Sequence, residues 1–211
     1  MKAYYALVMI VMLLIGGCGS EQGKEQLEET SLDEILEKGE AINNDIKKAE
    51  QKWEKRRQKG DTLPVDFTIL TKIMPNIDGW TKLNPEGMKI DADGTSYSSA
   101  LQQYKSRNDE LNISIFDYNG AIHLLAAATG WKASKMRVEN EEGFLFAEPY
   151  NGFKDTWIYY EYNKLNKNAI VILAINHRFV LTVNISGQEN IDFAKKIAEQ
   201  ILINNKDLFS K

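Results

Sequence analysis

The chain has 211 residues, 26 basic and 30 acidic side chains, a formal charge of −4 and a single cysteine. This mixed, mildly acidic balance offers no basic footprint for nucleic acid or an anionic lipid surface. One cysteine excludes a disulfide framework, so the fold must rest on an ordinary apolar core, which roughly 150 residues suffice to build.

The first element is MKAYYALVMIVMLLIGGC. Lys2 supplies a positive start, and Ala6 to Ile15 form an apolar run too short to span a bilayer as a stable helix. Gly16 and Gly17 follow, the small residues that a processing enzyme needs around a cleavage site. The pattern predicts a secretory signal over residues 1–17. Ile15-Gly16-Gly17-Cys18 resembles the lipobox of bacterial lipoproteins. The resemblance implies diacylglyceryl transfer to the Cys18 thiol, cleavage before it, and acylation of the new amino terminus. An uncleaved anchor and a plain signal peptide with an incidental cysteine are the alternatives. Each acyl chain would contribute about 0.8 kcal/mol per buried CH₂, so the membrane becomes a partner through the anchor, on the extracytoplasmic side. Gly19 stands where an inner-membrane retention Asp would sit, which favours the outer membrane in a cell that has one.

Residues 18–30 are polar and acidic after the cysteine and predict a flexible tether. Residues 31–60 predict an amphipathic charged helix. Ser31 and Glu34 have capping-box spacing. Basic residues crowd the far end before Gly60, a glycine suited to the C-cap. Leu32, Ile35, Gly39, Ile42, Ile46, Ala49 and Trp53 recur in heptad steps. This seam is thin. It fits a homo-oligomeric coiled coil, a helix laid on its own domain or on a partner, or a solvated spacer.

Residues 61–211 predict one globular domain. Phe67, Leu70, Ile73 and Met74 have helical spacing, ended by Pro75. Asp78-Gly79 and Asp93-Gly94 read as turns flanking a weak strand over 86–90. YSSALQQY (97–104) and LNISIFDY (111–118) read as strands, the second alternating apolar and polar. AIHLLAAATGW (121–131) predicts a buried helix ending at Gly130. FLFAEPY, TWIYYEY, AIVILAI and RFVLTVNI read as four strands, of which Ala169 to Ile175 predicts a central strand covered on both faces. Asn176-His177 is a tight turn. A final helix starts near Glu189, with Ile191, Ala194, Ile197, Ala198 and Ile201 inward.

The expected fold class is therefore α+β, a largely antiparallel sheet packed by helices. The run ILTKIMPNIDGW, the YSSALQQY strand, LNISIFDY, GFLFAEPYNG and NHRFVLTVNISGQ before a terminal helix resemble uncharacterised secreted and lipid-anchored bacterial proteins. Their element order is similar to the PsbP-like α/β/α sandwich. That resemblance covers about residues 63–205 and implies binding or assembly roles.

Chemistry-bearing patterns are sparse. His123 and His177 lack a partner at metal-ligand spacing. His123 reads as a core or boundary histidine, and His177 as an exposed turn residue. Asp91-Ala92-Asp93-Gly94 places its glycine too early for a calcium loop. There is no GxSxG, no GxGxxG and no P-loop. Asn112-Ile113-Ser114 and Asn184-Ile185-Ser186 match a glycosylation pattern inside expected strands. The concentrated feature is aromatic: EPYNGFKDTWIYYEY (148–162). Trp157 and Tyr159 should face one side of a strand, and Ile158, Tyr160 and Tyr162 the other. Tyr150, Phe153 and Trp157 are candidate partner-binding residues, with a core role as the alternative. The sequence thus predicts a non-enzymatic, lipid-anchored envelope protein without metal or cofactor that binds or helps assemble a protein partner. A carrier of a small apolar ligand is the second reading.

Overall fold

In the computed structural model, residues 32–92, 95–107, 109–134 and 136–211 are described. The expectations at the signal segment, Cys18, the tether, the Ser31 cap and the Asp93-Gly94 turn lie outside those residues. So does residue 108 of the β3–β4 turn. The chain order is α1 (Leu32–Gln58), α2 (Phe67–Lys72), β1 (Thr81–Lys82), β2 (Glu86–Ala92), β3 (Thr95–Ser106), β4 (Asp109–Asp117), α3 (Ile122–Ala128) and a 3-10 turn (Gly130–Ser134). It continues through β5 (Arg137–Asn140), β6 (Gly143–Pro149), β7 (Thr156–Asn163), β8 (Asn168–Ile175), β9 (Phe179–Ile185), α4 (Asp192–Asn204) and α5 (Lys206–Phe209). The described residues form an α+β fold.

Nine strands make one sheet in the order β1-β3-β4-β9-β8-β7-β6-β5, with β2 also paired to β3. Every pairing is antiparallel. β5 to β9 form a meander of hairpins, and β9 returns to pair with β4, so Leu181 faces both Ile115 and Leu173. β8 and β9 occupy the centre. On one face Leu111, Ile113, Ile115, Leu173, Leu181 and Val183 are fully buried. α4 covers them with Ala194, Ile197, Ala198, Ile201 and Leu202, and α2 adds Leu70. This is the main core.

The second face is covered less completely. Ile170 and Ile172 of β8 are half-buried, whereas Ala169, Val171, Leu173 and Ile175 are buried. The expectation of a central strand covered on both faces holds for its place in the sheet, but the second face is covered only in part, because α1 and α3 lie over the end of the sheet near the β8–β9 turn. There Ala49 of α1, Leu125 of α3 and Val180 of β9 form a small second cluster with Phe116, Tyr118, Ile122 and Ile172. α3 is also shorter and more exposed than its alanine-rich sequence predicts. Leu125 is its one buried residue, Leu124 is 41% exposed, and His123 faces solvent rather than the core.

α1 ends as its sequence requires. Gly60 has φ +81, Gly60 N–H donates to Arg57 O at 3.0 Å, and Asp61 N–H donates to Arg56 O at 3.0 Å. This is a Schellman cap, which turns the chain back at a residue free of a Cβ. Of the heptad positions described, Ala49 is buried and Ile46 and Trp53 are half-buried, while Gly39 and Ile42 are exposed. The lower part of the seam therefore packs on the protein's own sheet, and α1 from Asp33 belongs to the same compact unit as the strands. Elements not foreseen are β1, β5, the 3-10 turn and α5. β1 and β5 are two and four residues long, with every position exposed, so they carry no buried alternation to read.

Candidate functional site

The densest polar arrangement is the seam between α1 and the sheet. Its deepest part is a charged cluster. Along β4 the buried phase runs Leu111, Ile113, Ile115 and then Asp117, so the pleat itself drives a carboxylate into the interior. Arg178, 1% exposed, follows the β8–β9 turn and meets it. Arg178 Nε donates to Asp117 Oδ1 and Nη2 to Oδ2, both at 2.8 Å. Nη1 donates to Asp61 Oδ2 at 2.6 Å. The Schellman cap is what delivers Asp61 to this point.

Asp117 also accepts from Val65 N–H at 2.7 Å and from Asn119 N–H at 3.0 Å. Arg56 of α1 lies beside the cluster, its Nε donating to Asn119 Oδ1 at 3.1 Å. Two guanidinium groups and two carboxylates thus balance in charge. Burial works against the charged Arg178, but Asp117 and Asp61 outweigh it and raise its pKa. Arg56 has no carboxylate in contact. Burial and the nearby Arg178 bring it down to about 10, offset in part by Asp117 and Asp61. These contacts fix α1 to the sheet.

Further along α1 the contacts reach the β8–β9 turn. Asn176 and His177 both have positive φ, +53 and +51, and Arg178 N–H donates to Ile175 O at 3.0 Å. Lys52 Nζ donates to Asn176 Oδ1 and to Asp155 Oδ2, each at 2.6 Å. Asp45 is paired with Lys132 of the 3-10 turn. Its other oxygen is 3.3 Å from His177 Nδ1. Burial alone would raise the Asp45 carboxyl; His177 and Lys132 outweigh it and hold it at about 2. The expectation that His177 is an exposed turn residue is corrected, since its side chain is only 11% exposed under α1.

A groove of about 400 Å³ opens between the upper half of α1 and the α3–3-10 segment. Ala41, Ile42, Ala126, Ala133 and Trp157 supply its apolar lining, and Glu37, Asp45, Lys48 and Lys132 its charges. Trp157 is positioned by the alternation of β7. Ile158 and Tyr162 are buried in the main core, and the opposite phase presents Trp157 to the groove and Tyr159 to Trp131, whose rings are 5.6 Å apart. The two-sided reading of TWIYYEY is what the structure shows.

The three candidate contact residues are not brought together. Tyr150 and Phe153 are half-buried and pack against the main core on the α4 side. Trp157 lies on the opposite side, in the groove under α1. Among the described residues no group of three or more His, Asp or Glu side chains is placed to hold a metal, and no helix is long and apolar enough to cross a membrane. Sequence reasoning missed Asp45, Arg56, Asp61, Asp117 and Arg178 as a set. One signal was legible: a charged residue continuing a buried alternation, as Asp117 does, demands an opposite charge. Its partner 61 residues away left no local trace. No protein-family model matches the chain, and no curated protein or solved structure matches it.

Proposed function

We propose that this is a lipid-anchored, non-enzymatic protein of the cell envelope, held on the extracytoplasmic side through Cys18, whose domain binds a segment of a protein partner in the groove under α1. The outer membrane is the favoured address in a cell with two membranes, from Gly19 after the cysteine. The observation that carries the binding reading is the groove itself: the indole of Trp157 and small apolar side chains, with charges of both signs at its margins. Half-buried aromatics rimmed by polar groups are the composition of contact sites. Supporting the non-enzymatic reading, Asp45 and Lys132 of the groove lining are ion-paired with each other.

The helices on both faces of an antiparallel sheet support reading the domain as a PsbP-like α/β/α sandwich. The groove is bounded by charged and hydroxyl side chains, which favours a peptide over a small apolar cargo. Self-association through residues 31–60 would have to use Gly39, Ile42 and their neighbours, since Ala49 is already covered. The anchor is tested with Cys18→Ala. Wild-type protein should sediment with membranes and carry an acylated amino-terminal cysteine by mass spectrometry, and the variant should accumulate as an unlipidated precursor. An unmodified Cys18 thiol in mature wild-type protein would remove the anchor from this reading.

A further inference from the structure

A second cleft, separate from the groove, lies where the lower end of α1 meets the β2–β3 edge. Its volume is about 470 Å³ and its lining is Trp53, Thr62, Asp91, Ala92, Thr95, Ser96 and Gly120. That volume falls within the range of roughly 300–1,000 Å³ typical of small-molecule sites. Two polar atoms of the lining residues, Trp53 Nε1 and Ser96 Oγ, are buried and have no hydrogen-bond partner among the described residues. A buried indole N–H without an acceptor is costly, of the order of 1–3 kcal/mol, and native folds rarely leave one without a reason. The absence of a side chain at Gly120 leaves space against Ser96 and beside Trp53 Nε1. A Cβ there would stand 3.3 Å from Ser96 Cβ and 3.7 Å from Trp53 Nε1.

We propose that this cleft binds a neutral, hydroxyl-bearing ligand of sugar-ring chemistry. The donor set decides the class. Trp53 Nε1–H can only donate, so the ligand must offer an oxygen acceptor there. Ser96, Thr62 and Thr95 both donate and accept, which matches hydroxyl groups. Asp91 accepts, so a ligand hydroxyl can donate to it, while its charge disfavours an anion. One carboxylate beside an N–H donor is a poor cation site, because hard cations take six or more oxygens. Both atoms are covered in this structure, so binding requires the exposed β2 edge beside them to move outward. Occupancy would bridge α1 to β2 and β3.

The test follows the four tryptophan indole N–H resonances of the full chain in detergent, with ¹⁵N-labelled tryptophan. N-acetylglucosamine and glucose are the neutral probes, and sodium acetate is the anionic comparison. The expected result is a saturable shift of the Trp53 signal with a neutral sugar. Gly120→Ala, which fills the space, should abolish that shift. Asp91→Asn, a change at an exposed position, should weaken it about tenfold. Unchanged signals from Trp80, Trp131 and Trp157 report that each variant is folded. No movement of the Trp53 signal with either sugar at tens of millimolar overturns the proposal. So does an equal shift with acetate, or a shift that survives Gly120→Ala in a folded variant.

Discussion

Asp117→Asn perturbs the buried cluster with the smallest change of shape. Asp117 is 0% and Arg178 1% exposed, and the carboxylate accepts four hydrogen bonds: two from Arg178, one from Val65 N–H and one from Asn119 N–H. An amide has one carbonyl oxygen and turns an NH₂ towards donors. Arg178 then keeps only Asp61 as a charged partner. Breaking one side of a buried, hydrogen-bonded ion pair typically costs about 3–5 kcal/mol, a large share of the roughly 5–15 kcal/mol that holds a domain together. With a urea slope near 2 kcal/mol/M, the midpoint should fall by about 1.5–2.5 M. Arg178→Met combined with Asp117→Asn should cost much less than the two single changes added together, because the double variant buries no unpaired member of that pair. Equilibrium urea unfolding followed by circular dichroism measures all three variants. A midpoint shift below about 0.5 M for Asp117→Asn, or strict additivity in the cycle, would refute the assignment of this cluster as the clamp under α1.

The remaining predictions follow from the same seam and from the aromatic segment. Asp45 sits below the ordinary carboxyl value of 3.8, at about 2. Its contribution is therefore fully present above pH 4 and is lost as pH falls through about 2, and with 28% side-chain exposure it amounts to at most about 2 kcal/mol. Asp45→Asn should destabilise the protein at neutral pH, and its stability curve should converge on the wild type near pH 2; a constant offset down to that pH would show that the carboxylate's ionisation is not what matters. Tyr150→Ser with Phe153→Ser should cost several kcal/mol, since both rings pack on the main core, and lower the melting temperature by about 10 °C. An unchanged melt would return those residues to the list of surface contacts.

What could be read from the sequence was what repeats over short distances. β3, β4 and β6 to β9 show alternation or continuous apolar runs, and α4 shows its 3.6-residue stripe, so each is visible in a local window. Gly60 signals the end of α1 for the same reason: one residue type meets one backbone requirement. α3 misled because alanine and leucine fit a helix whether or not a neighbour covers it. Leu124 and His123 point outward because α1 covers only the Leu125 side of that segment with an apolar contact. The seam was the hardest part to see. Asp45 and Lys132, Lys52 and Asn176, and Arg178 and Asp61 are separated by 87, 124 and 117 residues, and single charged side chains carry no spacing pattern. Trp157 was found through its aromatic neighbourhood and Tyr150 and Phe153 with it. Trp157 reaches the groove through its phase on β7, whereas Tyr150 and Phe153 lie in the β6–β7 connection, which folds onto the core.

The central claim, a membrane-anchored domain that holds a partner segment in the groove under α1, is tested most directly by site-specific photo-crosslinking in the native cell. A crosslinking residue is placed at Lys48, which is exposed and lines the groove, or at Leu165, which is 75% exposed in the β7–β8 turn. The account predicts a discrete adduct from position 48 in the membrane fraction, lost with Trp157→Ala and absent from position 165. No discrete adduct at position 48, or the same adduct from both positions, would contradict it.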